Sequence, residues 1–154
     1  MVRTTLWYGK PDDDWNLKNK RNISNTEKGS YNCGGYALGL FNWFCPWEEE
    51  DDGNIELGDD TDLEKMVNYM LQYLPLRLIN STKELKRSEY AVAFRVGNFD
   101  FHYMKRGANG VWYSKVGNLY YIDTFKEEVV LNKKESWYGR YDGKIVLMAM
   151  KKRG

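Results

Sequence analysis

The hydrophobic period of this chain changes along its length, and this change constrains the fold more than any other feature. Apolar residues recur at helical spacing in 33–44 and again in 63–74. Thr61 and Glu64 form a capping-box signature before the second stripe, and Pro75 ends it. We therefore expect a buried helix that starts at Cys33 and a second amphipathic helix that ends at Pro75.

After Pro75 the pattern becomes typical of strands, with β-branched and aromatic residues between glycine-bearing breaks. The candidate strands are 76–79, 90–96, 99–105, 111–116, 119–123 and 144–150. Gly97-Asn98 and the segment 107–110 are hairpin-type connections, so neighbouring strands should pair antiparallel. The fold class we expect is α+β, with N-terminal helices packed on a meandering antiparallel sheet.

The length of 154 residues fits a single domain. A chain of this size buries about two-thirds of its unfolded surface, which is enough for a core without metal or disulfides. Residues 1–31 are mostly polar and read as an irregular arm over the surface. We expect one domain over 1–154 that includes this arm.

The net charge of +1, from 23 basic and 22 acidic side chains, gives no global attraction to nucleic acid or to anionic membranes. The basic run Lys151, Lys152 and Arg153 is short and terminal, and we assign it no function. No apolar run reaches the roughly 20 residues that span a bilayer, and the N-terminus lacks a signal peptide's apolar region. The expectation is a cytoplasmic protein that binds neither nucleic acid nor membranes.

Two cysteines, Cys33 and Cys45, are too few for a disulfide scaffold. With one histidine in the chain and no Cys-x-x-Cys motif, a structural zinc site is not expected. The acidic run in 48–52 lacks the ligand spacing of a calcium loop. We therefore predict no metal and no cofactor.

Cys33 is the candidate nucleophile. Asn32 stands in the N-cap position before it, and the unpaired N–H groups of a helix start favour a thiolate. Gly34 and Gly35 follow, and because glycine costs about 1 kcal/mol in a helix, they need a reason, such as close approach of a substrate. The alternative is that Cys33 is a small buried residue beside a tight turn. Cys45 lacks the helix-start context and is expected to be inert.

His102 is the candidate base. Strand alternation places Phe99, Phe101 and Tyr103 on one face and His102 on the other. A helix start docked on the histidine face would bring Cys33 and His102 together, in the chain order that a Cys-His hydrolase needs.

Three blocks of sequence carry a resemblance to a known pattern. They are Asn32-Cys33-Gly34-Gly35-Tyr36-Ala37-Leu38, Asp100-Phe101-His102-Tyr103-Met104-Lys105 and Gly110-Val111-Trp112-Tyr113-Ser114-Lys115-Val116-Gly117. Together, over about residues 31–125, they resemble small bacterial and bacteriophage proteins that are regarded as papain-like or similar to NlpC/P60 peptidases.

The resemblance implies a papain-like fold, with Cys33 as nucleophile and His102 as base. This chain has Ser114 where the pattern has a second histidine, so a Cys-His-His triad is impossible. A carboxylate, an amide or a backbone carbonyl must then orient His102. Asp123 is the first choice and Asn118 the second, although both also suit ordinary turns. The amide of Asn32 is a candidate oxyanion donor, with helix capping as the alternative.

Two functions follow. The first is a cysteine hydrolase or transferase that cleaves an amide, isopeptide, peptide or thioester bond of a protein or peptide substrate. The second is a catalytically silent papain-like binding or inhibitory module, such as a bacteriophage protein that acts on a host factor in the host cytoplasm. The oligomeric state is left open.

Overall fold

The structure is a computed structural model and describes residues 21–22, 32–40, 43–47, 60–97, 100–115 and 121–152. Of the predicted N-terminal arm, only residues 21–22 fall within this set. Asn118, the second candidate to orient His102, lies outside it.

The described residues form an α+β fold, as the periodicity predicted. The helices are α1 (Cys33–Ala37), α2 (Asp60–Tyr73) and α3 (Glu127–Val130), with a 3₁₀ turn at Thr82–Glu84. The strands are β1 (Arg21–Asn22), β2 (Leu76–Leu78), β3 (Glu89–Gly97), β4 (Asp100–Arg106), β5 (Trp112–Lys115), β6 (Tyr121–Phe125) and β7 (Val146–Lys151).

The strands form one antiparallel sheet in the order β1-β6-β5-β4-β3-β7-β2. Strands β3 to β6 form the predicted meander, and Lys105 pairs with Tyr113 across the expected β4–β5 hairpin. The last strand departs from the meander, because β7 returns to pair with β3 instead of with β6. In β3, Ala91 to Gly97 are all buried, as expected for a strand covered on both faces of the sheet.

The predicted helix over 33–44 is wrong in its length, since α1 ends at Ala37. Gly39 has φ +70, and the N–H groups of Gly39 and Leu40 donate to the carbonyls of Tyr36 and Gly35. These two bonds make a Schellman motif, which a left-handed glycine completes at a helix end. Leu40 and Phe44 are buried as the apolar stripe predicted, but they lie outside the helix.

Two apolar layers cover the sheet. On one face, α1 and α2 pack with Phe94, Phe101 and Tyr103. On the other face, the segment from α3 to Tyr141 packs over β3, β4 and β5 through Trp112, Val130 and Trp137, among others. Within the described residues, no helix is long and apolar enough to cross a membrane.

Buried Arg95 holds the second layer in place. Its Nε donates to Gly143 O at 2.7 Å and its guanidinium also donates to Glu135 O at 2.7 Å. The guanidinium carbon lies 5.4 Å from the ring centre of Trp137. A charged group in the interior requires such partners, so this lone arginine in an apolar strand ties the C-terminal segment to the sheet.

Candidate functional site

Cys33 begins α1, as predicted, but its thiol is enclosed. The residue is 5% exposed, and Sγ lies 4.0 Å from Phe101 O, a long hydrogen bond even for sulfur. Burial raises the pKa of the Cys33 thiol to about 12, and backbone hydrogen bonds from Tyr103 and Gly34 only partly offset this effect. The helix start therefore does not produce a thiolate near neutral pH.

The ring of Tyr103 explains why position 34, the first of the two glycines after Cys33, has no side chain. A Cβ placed on Gly34 would lie 2.9 Å from a ring carbon of Tyr103 and 3.2 Å from Phe44. Close approach does require glycine here, but the neighbour is a core tyrosine and not a substrate.

His102 lies on the opposite face of the sheet from α1. It pairs with Arg95 across the β3–β4 ladder, and its ring contacts Trp137, Tyr138 and Tyr141. Cys33 packs instead on the face that carries Phe101 and Tyr103. No hydrogen bond joins Cys33 to His102 in the part of the chain that the structure describes. The predicted pairing of these two side chains stays a prediction: α1 docks on the aromatic face of β4, and Sγ of Cys33 lies at the strand backbone, near Phe101 O.

The structure brings His102 together with a different group, Ser114. Nε2 of His102 and Oγ of Ser114 are 2.6 Å apart, and Ser114 Oγ lies 3.0 Å from the hydroxyl of Tyr138. That hydroxyl donates to Oδ2 of Asp123 at 2.7 Å. Asp123 is thus connected to His102, but through two hydroxyl groups instead of the direct contact that was predicted.

The direction of this hydrogen-bond chain follows from proton counting. The single hydroxyl proton of Tyr138 goes to the carboxylate of Asp123, so Ser114 must donate its own proton to Tyr138. Ser114 then accepts from His102, which carries its proton on Nε2. In this arrangement His102 is a donor to the serine, so it does not activate Ser114 as a nucleophile.

The surroundings of His102 keep its ring neutral. The residue is 1% exposed, and Tyr141 stacks on it with ring centres 5.0 Å apart. Burial lowers the pKa of His102 to about 3, since the charged imidazolium loses its hydration there.

The side chain of Asn32 caps α1 and fastens it to the following segment. Oδ1 accepts from the N–H groups of Gly35 at 2.9 Å and Phe44 at 3.0 Å. The amide Nδ2, which was expected to be available to an oxyanion, donates to Phe44 O at 2.8 Å. The capping alternative fits this geometry.

Sequence reasoning missed Tyr138. Its backbone has φ +56, a left-handed conformation that non-glycine residues seldom adopt. It precedes Gly139 in the turn that joins Trp137 to Tyr141. The third sequence block did contain a signal for Ser114, because this residue stands where the pattern that the chain resembles has a histidine.

A metal centre has no support in the described residues, where no three His, Cys, Asp or Glu side chains come together.

The profile of one protein family, Domain of unknown function (DUF7689), matches residues 22–145, and the chain belongs to this family. The comparisons with curated proteins and with solved structures found no match. The matched range contains Cys33, His102, Ser114, Asp123 and Tyr138.

Proposed function

We propose that this chain is a binding module in which Cys33 and His102 are parts of the core and not a catalytic pair. The observation that carries the proposal is that α1 packs on the Phe101 face of β4 while His102 points to the other face. A nucleophile and its base must meet within hydrogen-bond distance or through one water. Here the hydrogen-bond partner of the His102 ring is Ser114, and the contact of Sγ of Cys33 is the carbonyl of Phe101.

The acid-base properties of both groups support the same proposal. A thiol with a pKa of about 12 supplies very little thiolate near pH 7. An imidazole with a pKa of about 3 accepts a proton poorly at that pH. Catalytic cysteines and histidines have the opposite shifts, which bring their pKa values toward the working pH.

The competing proposal is the papain-like cysteine hydrolase that the sequence motifs imply. It keeps Cys33 as nucleophile, with an amide, isopeptide, peptide or thioester bond of a protein as its target. It would require His102 to exchange its hydrogen bond with Ser114 for one with the Cys33 thiol. The papain-like fold, the bacteriophage source and the protein partner stay predictions.

Alkylation of the native protein distinguishes the two proposals. We expect iodoacetamide near pH 7.5 to label the half-buried Cys45 faster than the buried Cys33, with peptide mass spectrometry reporting each site. His102→Gln should leave the Cys33 rate unchanged, because no proton passes between the two residues. The same protein in denaturant is the control, and there both thiols should react at similar rates.

A fast Cys33 reaction that His102→Gln abolishes would overturn the binding-module proposal. The hydrolase would then be the better description, with a conformation in which the two residues meet.

A further inference from the structure

A basic cavity opens at one end of the sheet, away from Cys33 and His102. It has a volume of about 220 Å³ and lies where β3 begins and β4 ends. Its cationic side chains are Lys86 and Arg87 from the turn before β3, Arg106 from the end of β4, and Lys152 after β7. Three separate parts of the chain thus direct positive charge to one place.

The acidic residue in the cavity lining does not neutralise this charge. The carboxylate of Glu89 accepts hydrogen bonds from Nε and Nη2 of Arg77, both at 2.8 Å, and from the backbone N–H of Lys86 at 2.9 Å. The ion pair with Arg77 holds the pKa of Glu89 down to about 2, so it remains bound to that arginine. With Arg77 paired to Glu89 and Arg106 paired to Glu127, the net positive charge at the cavity comes from Lys86, Arg87 and Lys152.

The cationic groups differ in what they already bind. Nε of Arg106 donates to Glu127 at 2.7 Å, which fixes its guanidinium at the cavity wall. Lys86 and Arg87 are exposed, and Lys152 is half-buried. The lining also includes the apolar residues Leu85, which is half-buried, and Ala91, which is buried. A ligand in this cavity would meet Leu85 as well as the cationic side chains.

We propose that this cavity binds a small molecule that carries a phosphate group on a compact apolar body. The inference rests on the proposed function, since it names the ligand class of the binding module. A phosphate group carries up to two negative charges on several oxygens, so it can bind several cationic side chains at once. Arginine and lysine are the residues that proteins use to bind phosphate. The volume lies below the usual range for drug-sized ligands, which favours a compact molecule.

The basic run at the C-terminus, to which the sequence assigned no role, supplies one of these cations. Lys152 follows β7, which pairs with β3, and its backbone N–H donates to Ser88 O at 2.7 Å. This bond places Lys152 beside the turn that carries Lys86 and Arg87.

The test uses phenyl phosphate as probe and isothermal titration calorimetry as readout, with the full chain. The cavity variant is Arg87→Gln with Lys152→Gln. The matched control is Lys133→Gln with Lys134→Gln, two exposed lysines outside the cavity lining that remove the same charge. We expect phenyl phosphate to bind the native protein, the cavity variant to bind it about tenfold more weakly or worse, and the control to bind it as the native protein does.

Several results would overturn the proposal. These are no binding of phenyl phosphate, equal losses in both double variants, or equally tight binding of benzoate, which would mean that any anion suffices. Binding of a short single-stranded oligonucleotide but not of phenyl phosphate would instead indicate a nucleic-acid surface. The alkylation result is independent of these outcomes, so a failed ligand test with an inert Cys33 leaves the binding-module proposal standing.

Discussion

Tyr138 has a backbone conformation that is unfavourable for a non-glycine residue and a hydroxyl that links two buried groups. The left-handed conformation costs about 1–2 kcal/mol in a residue with a Cβ. In return, the phenol reaches both Ser114 and Asp123, and its ring packs edge-on to His102. The hydrogen bonds of the Tyr138 hydroxyl therefore offset the energetic cost of its left-handed backbone.

Removing this hydroxyl should destabilise the protein although the ring remains. We expect Tyr138→Phe to lower the free energy of unfolding by about 1 kcal/mol, because Asp123 and Ser114 both lose a partner. Ser114→Ala should show a comparable loss. Because the two residues share one chain, the double variant should lose less than the sum of the single variants in urea denaturation. Fully additive losses would mean that the chain does not act as a unit.

At the scale of elements, the position of α1 depends on how closely its first turn approaches β4. Gly34 lies against the Tyr103 ring, and Asn32 bonds the backbone of Phe44 on both its donor and acceptor sides. The helix has only five residues, so these contacts hold it rather than its own hydrogen bonds.

Gly34→Ala tests that contact. The added methyl group must displace the Tyr103 ring or α1, and we expect a loss of about 1–3 kcal/mol in the free energy of unfolding. Gly139→Ala is the comparison, because nothing lies within 4 Å of its Cβ position and only its φ of +65 opposes the substitution. Thermal and urea unfolding of both variants measure the difference. A Gly34→Ala protein as stable as the wild type would show that α1 is not packed against Tyr103.

For the whole molecule, the buried imidazole predicts how stability depends on pH. The pKa of His102 is lowered to about 3 in the folded protein, whereas an unfolded histidine titrates near 6.5. Between these two values the unfolded chain binds a proton that the folded chain does not. Stability is therefore fully present above pH 6.5 and falls as the pH drops, by about 1.4 kcal/mol per pH unit between 6.5 and 3.

His102→Gln should reduce this slope, since glutamine does not titrate and can still donate to Ser114. Urea unfolding of both proteins from pH 7.5 to pH 4 gives the measurement. The carboxylates contribute equally to both curves, so the difference between them reports His102 alone. Parallel curves would contradict the lowered pKa of the buried imidazole.

The sequence by itself determined the order of the elements and the alternation within each strand. The predicted strand segments became β2 to β7 with boundaries shifted by a few residues, and Pro75 follows the end of α2. These features are local, because side-chain direction in a strand and helix termination depend on near neighbours. The helix length was misjudged because Gly39 stands within the apolar stripe, where its left-handed φ is not visible from composition.

Only the tertiary structure decided which face of β4 the Cys33 helix covers. Alternation correctly placed Phe101 and His102 on opposite faces, but the side on which α1 docks depends on contacts with Tyr103, Phe44 and α2 that are distant in sequence. The same holds for Tyr138, which reaches Ser114 and Asp123 only after the C-terminal segment folds over the sheet. The docked position of a helix is the one in which the whole chain buries the most apolar area. That total depends on residues distant in sequence, so no local pattern predicts it.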